Sequence, residues 1–285
     1  MKNYKNYINE DNNYHEIANQ QAIAYQNTLN VLTIDDAVEH TILHCQDFIN
    51  NPKIIGRNIK DSSINYFFSY PIKRRSRDNA NFYTLILDNS PQWKGYPKRS
   101  NSFICTLNCV SSDYYVIPED DSLWGIVPDI DIYFGFKELG IYSLNHLVKG
   151  LIQIAKYCGI ELLDDSYINM KNSFNLFQTE LYSKFNKENL KEQFWELNLH
   201  EGAIISNYLI SIWGGNIFKY LVKTLNPVDN GFKLNYYNDI IEQEFKRECW
   251  TESPCLFIKR SNMIEYLEKL SKETSVDMSN FIDEV

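Results

Sequence analysis

Three groups of side chains in this chain have the types and spacing to do chemistry. Two are basic. Lys73-Arg74-Arg75-Ser76-Arg77 comes first, and Lys98-Arg99-Ser100 follows within Tyr96-Pro-Lys-Arg-Ser-Asn-Ser-Phe-Ile-Cys-Thr106. An arginine at a strand edge offers a rigid fork of donors that suits a phosphate, and the hydroxyls of Ser102 and Thr106 flank the adjoining apolar run. The third group is acidic: Glu242, Glu244, Glu248 and Glu252 precede the apolar Pro254–Ile258. Glu248 lies next to Cys249 and Trp250, which can dry its carboxylate. A dry carboxylate beside a sugar stabilises an oxocarbenium-like transition state by charge alone. The plainer alternatives are solvated loops for the cations and a run of exposed acids for the glutamates.

Two further constellations are weaker. His40 and His44 are four apart and share a helix face, a spacing that can take a metal. The order Glu39-His40 is not the HExxH pattern, and Ile42 and Leu43 make this helix a packing element. Glu119-Asp120-Asp121 and the pair Asp129 and Asp131 follow strands, where acids hold Mg²⁺ or Ca²⁺ or simply build turns. The chain has no GxGxxG, GxxxxGK[ST] or GxSxG sequence, so Rossmann dehydrogenases, P-loop hydrolases and the common serine-hydrolase elbow lose ground.

The elements that must position these residues follow from periodicity. Tyr14 to about Leu32 reads as an amphipathic helix, and Thr33 caps a second one that ends near Asn50-Asn51-Pro52. Short β-branched and aromatic runs then suggest strands at Ile64–Tyr70, Phe82–Leu87, Ser102–Leu107, Tyr114–Pro118 and Leu123–Val127. Ser143 is a cap for a helix over Leu144–Cys158, and the helical pattern continues through Met170–Phe185, Leu190–Leu197 and Ala203–Leu225, broken at Gly214-Gly215. Phe232–Tyr236 and Pro254–Lys259 return to strand, and Ser261 caps a last helix from Met263. The expected class is α+β: a small mixed or antiparallel sheet core with an N-terminal helical leader and a helical insertion. The expected segments are 1–62 helical, 63–138 first part of the core, 139–227 insertion, and 228–285 second part of the core with the terminal helix.

Composition limits the function further. The chain is 44% hydrophobic over 285 residues, enough for a real core. Its net charge of -9 argues against a general nucleic-acid coat but leaves room for a local basic pocket. The six cysteines form no CxxC pair, and the first residues carry no apolar signal region, so reduced thiols in a cytoplasm are expected. Ala203–Leu225 is interrupted by Asn207, Asn216, Lys219 and Lys223, which suits a buried helix rather than a membrane span. The abundance of Asn, Ile, Tyr and Lys accompanies AT-rich genomes, as in a phage or a low-GC bacterium.

The order of the clusters resembles that of the arginine–serine–glutamate class of ADP-ribosyltransferases. Arg75 in Arg74-Arg75-Ser76 resembles the first-strand arginine of that class, Ser102-Phe-Ile-Cys-Thr106 its Ser-Thr-Ser strand, and Arg247-Glu248-Cys-Trp-Thr-Glu-Ser-Pro254 its glutamate segment. The resemblance implies NAD as substrate, no metal, and catalytic roles for Glu248, Arg75 and Ser102. Arg75 would anchor the NAD phosphates or ribose, Ser102 and Thr106 would brace the nicotinamide pocket, and Glu248 would support the ribose as nicotinamide leaves. Arg74, Arg99, Thr106 and Tyr114 complete the implied NAD-binding set. The acceptor would be a nucleophile on a protein or nucleic acid. The chain departs from the class at Cys105, where a third hydroxyl is usual, and at Lys246, where Glu or Gln precedes the catalytic glutamate by two. Two other functions fit the same residues. A non-catalytic interaction protein would use the abundant aromatics to bind a protein partner. A metal-dependent nuclease or phosphoesterase would use Asp129 and Asp131.

Overall fold

A computed structural model describes residues 29–59, 63–74, 81–137, 140–141, 143–241 and 245–285. They fall into two compact units. The first draws on Met1–Arg77, Tyr96–Ile130 and Lys233–Val285, the second on Asp78–Gly95 and Asp131–Phe232.

Among the described residues the first unit is built on a nine-stranded sheet with every pairing antiparallel. In chain order its strands are β1 (Asn30–Val31), β2 (Ile55–Arg57), β3 (Tyr66–Ser69), β4 (Phe103–Leu107), β5 (Tyr114–Pro118), β6 (Leu123–Ile126), β7 (Lys233–Tyr236), β8 (Arg247–Thr251) and β9 (Cys255–Lys259). In space the order is β1-β3-β9-β5-β2-β4-β8-β6-β7. Consecutive β8 and β9 are therefore not neighbours; β8 is inserted between β4 and β6. The helices Ile34–His44 and Met263–Thr274 meet over the sheet. Thr41 Oγ1 and Tyr266 Oη are 2.6 Å apart, and Tyr266 lies against the Tyr66 ring of β3. Thr33 starts the first of these helices as expected: Asp36 N donates to its hydroxyl, and the Asp36 carboxylate accepts from Thr33 N.

The described part of the second unit is helical. Its helices are Phe82–Asn89, Leu144–Tyr157, Tyr167–Lys184, Leu190–Glu196, His200–Ile204, Ser206–Ser211, Ile217–Thr224 and Pro227–Asn230. Phe174 is fully buried between Phe82 and Phe218 and anchors three of them. The expected break in the long apolar stretch falls at Gly214, whose φ of 82° is natural only for glycine.

Four expectations need correction. Phe82–Leu87 is helix, not strand, because its buried residues Phe82, Tyr83, Ile86 and Leu87 recur at helical spacing. The segment expected to be helical up to Leu32 is strand at Asn30–Val31, paired with Phe67 and Phe68; residues 14–28 lie outside the described residues. The plainer alternative for the acids, an exposed run, fails at Glu248, which is buried in the interior strand Arg247–Thr251. Ser261 is not the cap of the last long helix: Asn262 holds that position, and the Ser261 hydroxyl donates to the Asn262 side chain. All six cysteines are free and buried. Among the described residues no helix is long and apolar enough to cross a membrane.

Candidate functional site

The best-built polar corner of the first unit lies where β4 meets β8. Five register pairs join these strands; Thr106 is opposite Glu248 and Ile104 is opposite Trp250. Alternation puts all four side chains on one face. The 3-10 turn Arg99–Asn101 leads into β4 and carries Arg99 to this face. The Arg99 guanidinium reaches Glu248 Oε1 at 2.6 Å, with the two side chains only 5% and 11% exposed. Both charges are thus largely out of water, and each offsets the other's desolvation.

Aromatic residues close the corner. The Arg99 guanidinium lies 5.5 Å from the centre of the Trp250 ring, a cation–π geometry. Tyr96 stacks on the same indole, which donates Nε1–H to Pro97 O at 2.8 Å. Gly125 of β6 faces Trp250; a Cβ there would come within 2.3 Å of the indole, so only glycine leaves the ring its place. Glu252 clamps the basic turn, accepting from Lys98 N at 2.9 Å and from Asn101 Nδ2 at 3.2 Å. Arg74 N donates to Ser100 O at 2.6 Å, which joins the first basic cluster to the second.

The structure thus brings together Arg99, Thr106 and Glu248, with the Arg74 backbone alongside. Ser102 is nearby but buried, and its hydroxyl donates to Lys98 O at 2.8 Å, so it serves the turn. Tyr114 is not in this corner. It pairs with Arg57 on the face opposite Thr106, stacks edge-on against Phe67, and donates its hydroxyl to Ile64 O. Cys105, where the third hydroxyl would stand, also points to that opposite face, and burial pushes its thiol up to about 11. Arg75 lies outside the described residues.

The other constellations behave differently. His40 Nε2 is 3.7 Å from Glu119 Oε1, and the His40 and His44 rings are 4.9 Å apart. Burial, then the charge of His44, holds His40 below its usual pKa. Asp129 accepts from Ile130 N and Asp131 from Tyr133 N, so both build turns. Among the described residues no three His, Cys, Asp or Glu side chains group as metal ligands.

Sequence reasoning missed the turn clamp of Glu252 and the place kept by Gly125. A glycine inside the apolar run Leu123-Trp124-Gly125-Ile126 was the available signal, since glycine in a strand marks close approach. Chemically, the corner offers one buried cation, one carboxylate held beside it and a hydroxyl across the strand pair. No protein family matches this chain, and no curated protein or solved structure is detectably similar to it.

Proposed function

We propose that the chain is an ADP-ribosyltransferase-like protein that uses NAD and passes ADP-ribose to a protein or nucleic-acid acceptor. The observation that carries this reading is the buried pairing of Arg99 with Glu248, with Thr106 directly across the strand pair. In this reading Arg99 takes the NAD pyrophosphate, and Glu248 turns from the guanidinium to the nicotinamide ribose. The glycosidic C–N bond breaks, and nicotinamide leaves with the bonding electrons as a neutral base. The positive charge left on the ribose is held by the Glu248 carboxylate. The acceptor nucleophile then bonds to the anomeric carbon and loses its proton to solvent. Charge stabilisation of this kind contributes about 3–4 kcal/mol. The six unpaired, buried thiols support a reducing compartment such as the cytoplasm, the host's if the chain is phage-borne.

The test is nicotinamide release from NAD by chromatography, together with calorimetric NAD binding. Wild-type protein is expected to bind NAD and release nicotinamide. Glu248→Gln should bind NAD but lose about 10²–10³-fold in rate. Wild-type protein that neither binds NAD nor releases nicotinamide rejects the reading.

A second reading is favoured by the closure of the same pair. A 2.6 Å contact between two nearly buried side chains is also a structural lock in a non-catalytic protein that binds a protein partner. In that case Glu248→Gln changes stability and has no activity to remove.

A further inference from the structure

The sheet of the first unit stops at β7. This strand pairs with β6 on one side, and among the described residues no strand lies on its other side. The ladder decides which backbone groups it presents there. Tyr237 N donates to Ser122 O at 2.9 Å, and these two residues extend the register that pairs Tyr236 with Leu123. Bonded positions alternate in an antiparallel pair, so Asn235 and Lys233 also turn their N–H and C=O to β6. The β6–β8 pairing agrees: Val127 N donates to Glu248 O, which leaves Trp124 and Ile126 to bond β7. Leu234 and Tyr236 therefore direct their backbone groups outward, and they are 37% and 56% exposed.

Such an edge is a template for another strand unless it is blunted. β7 has no proline and no bulge, and its residues pair one to one with β6. Its one charged residue, Lys233, stands at its start, and Asp239 follows its end; both are exposed. That polarity selects the occupant. A second copy laid antiparallel brings each Lys233 to the end where the other copy's Asp239 stands, whereas a parallel copy would set like charges side by side. A two-fold axis at Asn235 also matches the outward groups. Leu234 then meets the second copy's Tyr236, and each such pair exchanges both backbone hydrogen bonds. The Leu234 and Tyr236 side chains, exposed in one copy, cover each other across the paired strands.

We propose that β7 is a homodimerisation edge: two copies of this chain join through β7, antiparallel about Asn235, and continue one sheet across the two-fold axis. The contact is short, so the dimer is weak and reversible, with a Kd of roughly 10–1,000 μM. It does not depend on the NAD reading, because it uses none of Arg99, Thr106 or Glu248.

The experiment is sedimentation equilibrium of the full chain from about 10 μM to about 1 mM, with amide hydrogen exchange measured at both ends of that range. A monomer–dimer equilibrium is expected. The Leu234 and Tyr236 amides should exchange more slowly at the high concentration, while the Asn235 amide, already bonded to β6, should change less. Leu234→Pro removes an outward donor and spares the ladder to β6. Tyr236→Lys puts a charge on the exposed edge. Each should weaken association by about tenfold or more. Lys233→Glu should weaken it as well, and adding Asp239→Lys should restore it. Tyr236→Lys and Lys233→Glu alter exposed positions, so their thermal unfolding in dilute solution should match the wild type. A monomer at every concentration overturns the proposal and leaves the edge to an extended segment of a different protein. A dimer that withstands both Leu234→Pro and Tyr236→Lys, or whose newly protected amides lie elsewhere, overturns it by placing the contact on another surface. A charge swap that restores nothing overturns the antiparallel register.

Discussion

Arg99 and Glu248 matter to stability whatever the chain does. Removing one member of a nearly buried ion pair strands the other without its partner, which costs about 3–5 kcal/mol, whereas replacing both with apolar groups is often close to neutral. Arg99→Ala is therefore expected to lower the urea midpoint sharply, and Arg99→Met with Glu248→Met to recover most of the loss. Equal loss in the single and double variants contradicts a coupled pair. The sequence displayed both residues as chemically capable, and it displayed Trp250 beside Glu248. It did not display their meeting. That depends on β8 pairing with β4 rather than with its chain neighbour β9, a non-local choice that no local pattern records. The same holds for Tyr114, an aromatic with a hydroxyl whose face is fixed by register and not by type.

Among the elements, the helix Ile34–His44 was legible because its start is written in side chains. Thr33 and Asp36 complete a capping box, and Asp35 adds charge to the first turn. The strand Arg247–Thr251 was not legible, because its alternating pattern places a charged Glu248 where a central strand normally presents an apolar residue. The Arg99 guanidinium offsets that burial. The same N-terminal helix carries a pH response. Burial first, and the His44 charge second, hold His40 below 6.5, outweighing Glu119 at 3.7 Å. The folded state thus binds fewer protons at His40 than the unfolded state does, and stability falls as pH drops through the unfolded value. Glu119 acts in the opposite sense: burial raises it above 4.5, so its contribution improves as pH falls toward that range. His40→Gln is expected to flatten the loss of Tm between about pH 7 and pH 5. Parallel profiles for the two proteins contradict this account.

At the scale of the molecule, the α+β class was readable from blocks of strand-like and helix-like periodicity along the chain. The membership of Asp78–Gly95 in the helical unit was not, since Phe82–Leu87 has strand-like residue types at helical spacing. The distribution of cysteines has a consequence of another kind. Burial raises Cys45, Cys105, Cys158, Cys249 and Cys255 above 9.0. At Cys109 burial also pushes upward, but hydrogen bonds from Ser112 and Ser111 and the charge of Lys246 bring it below 9.0. In native buffer, iodoacetamide with mass-spectrometric readout should modify Cys109 first, because the thiolate is the reactive form. Equal or faster modification of Cys249 contradicts this. The remaining thiols react only when their surroundings open. Cys158 belongs to the helical unit and the others to the sheet unit, so the chain carries, without any added label, separate clocks for the breathing of its two halves.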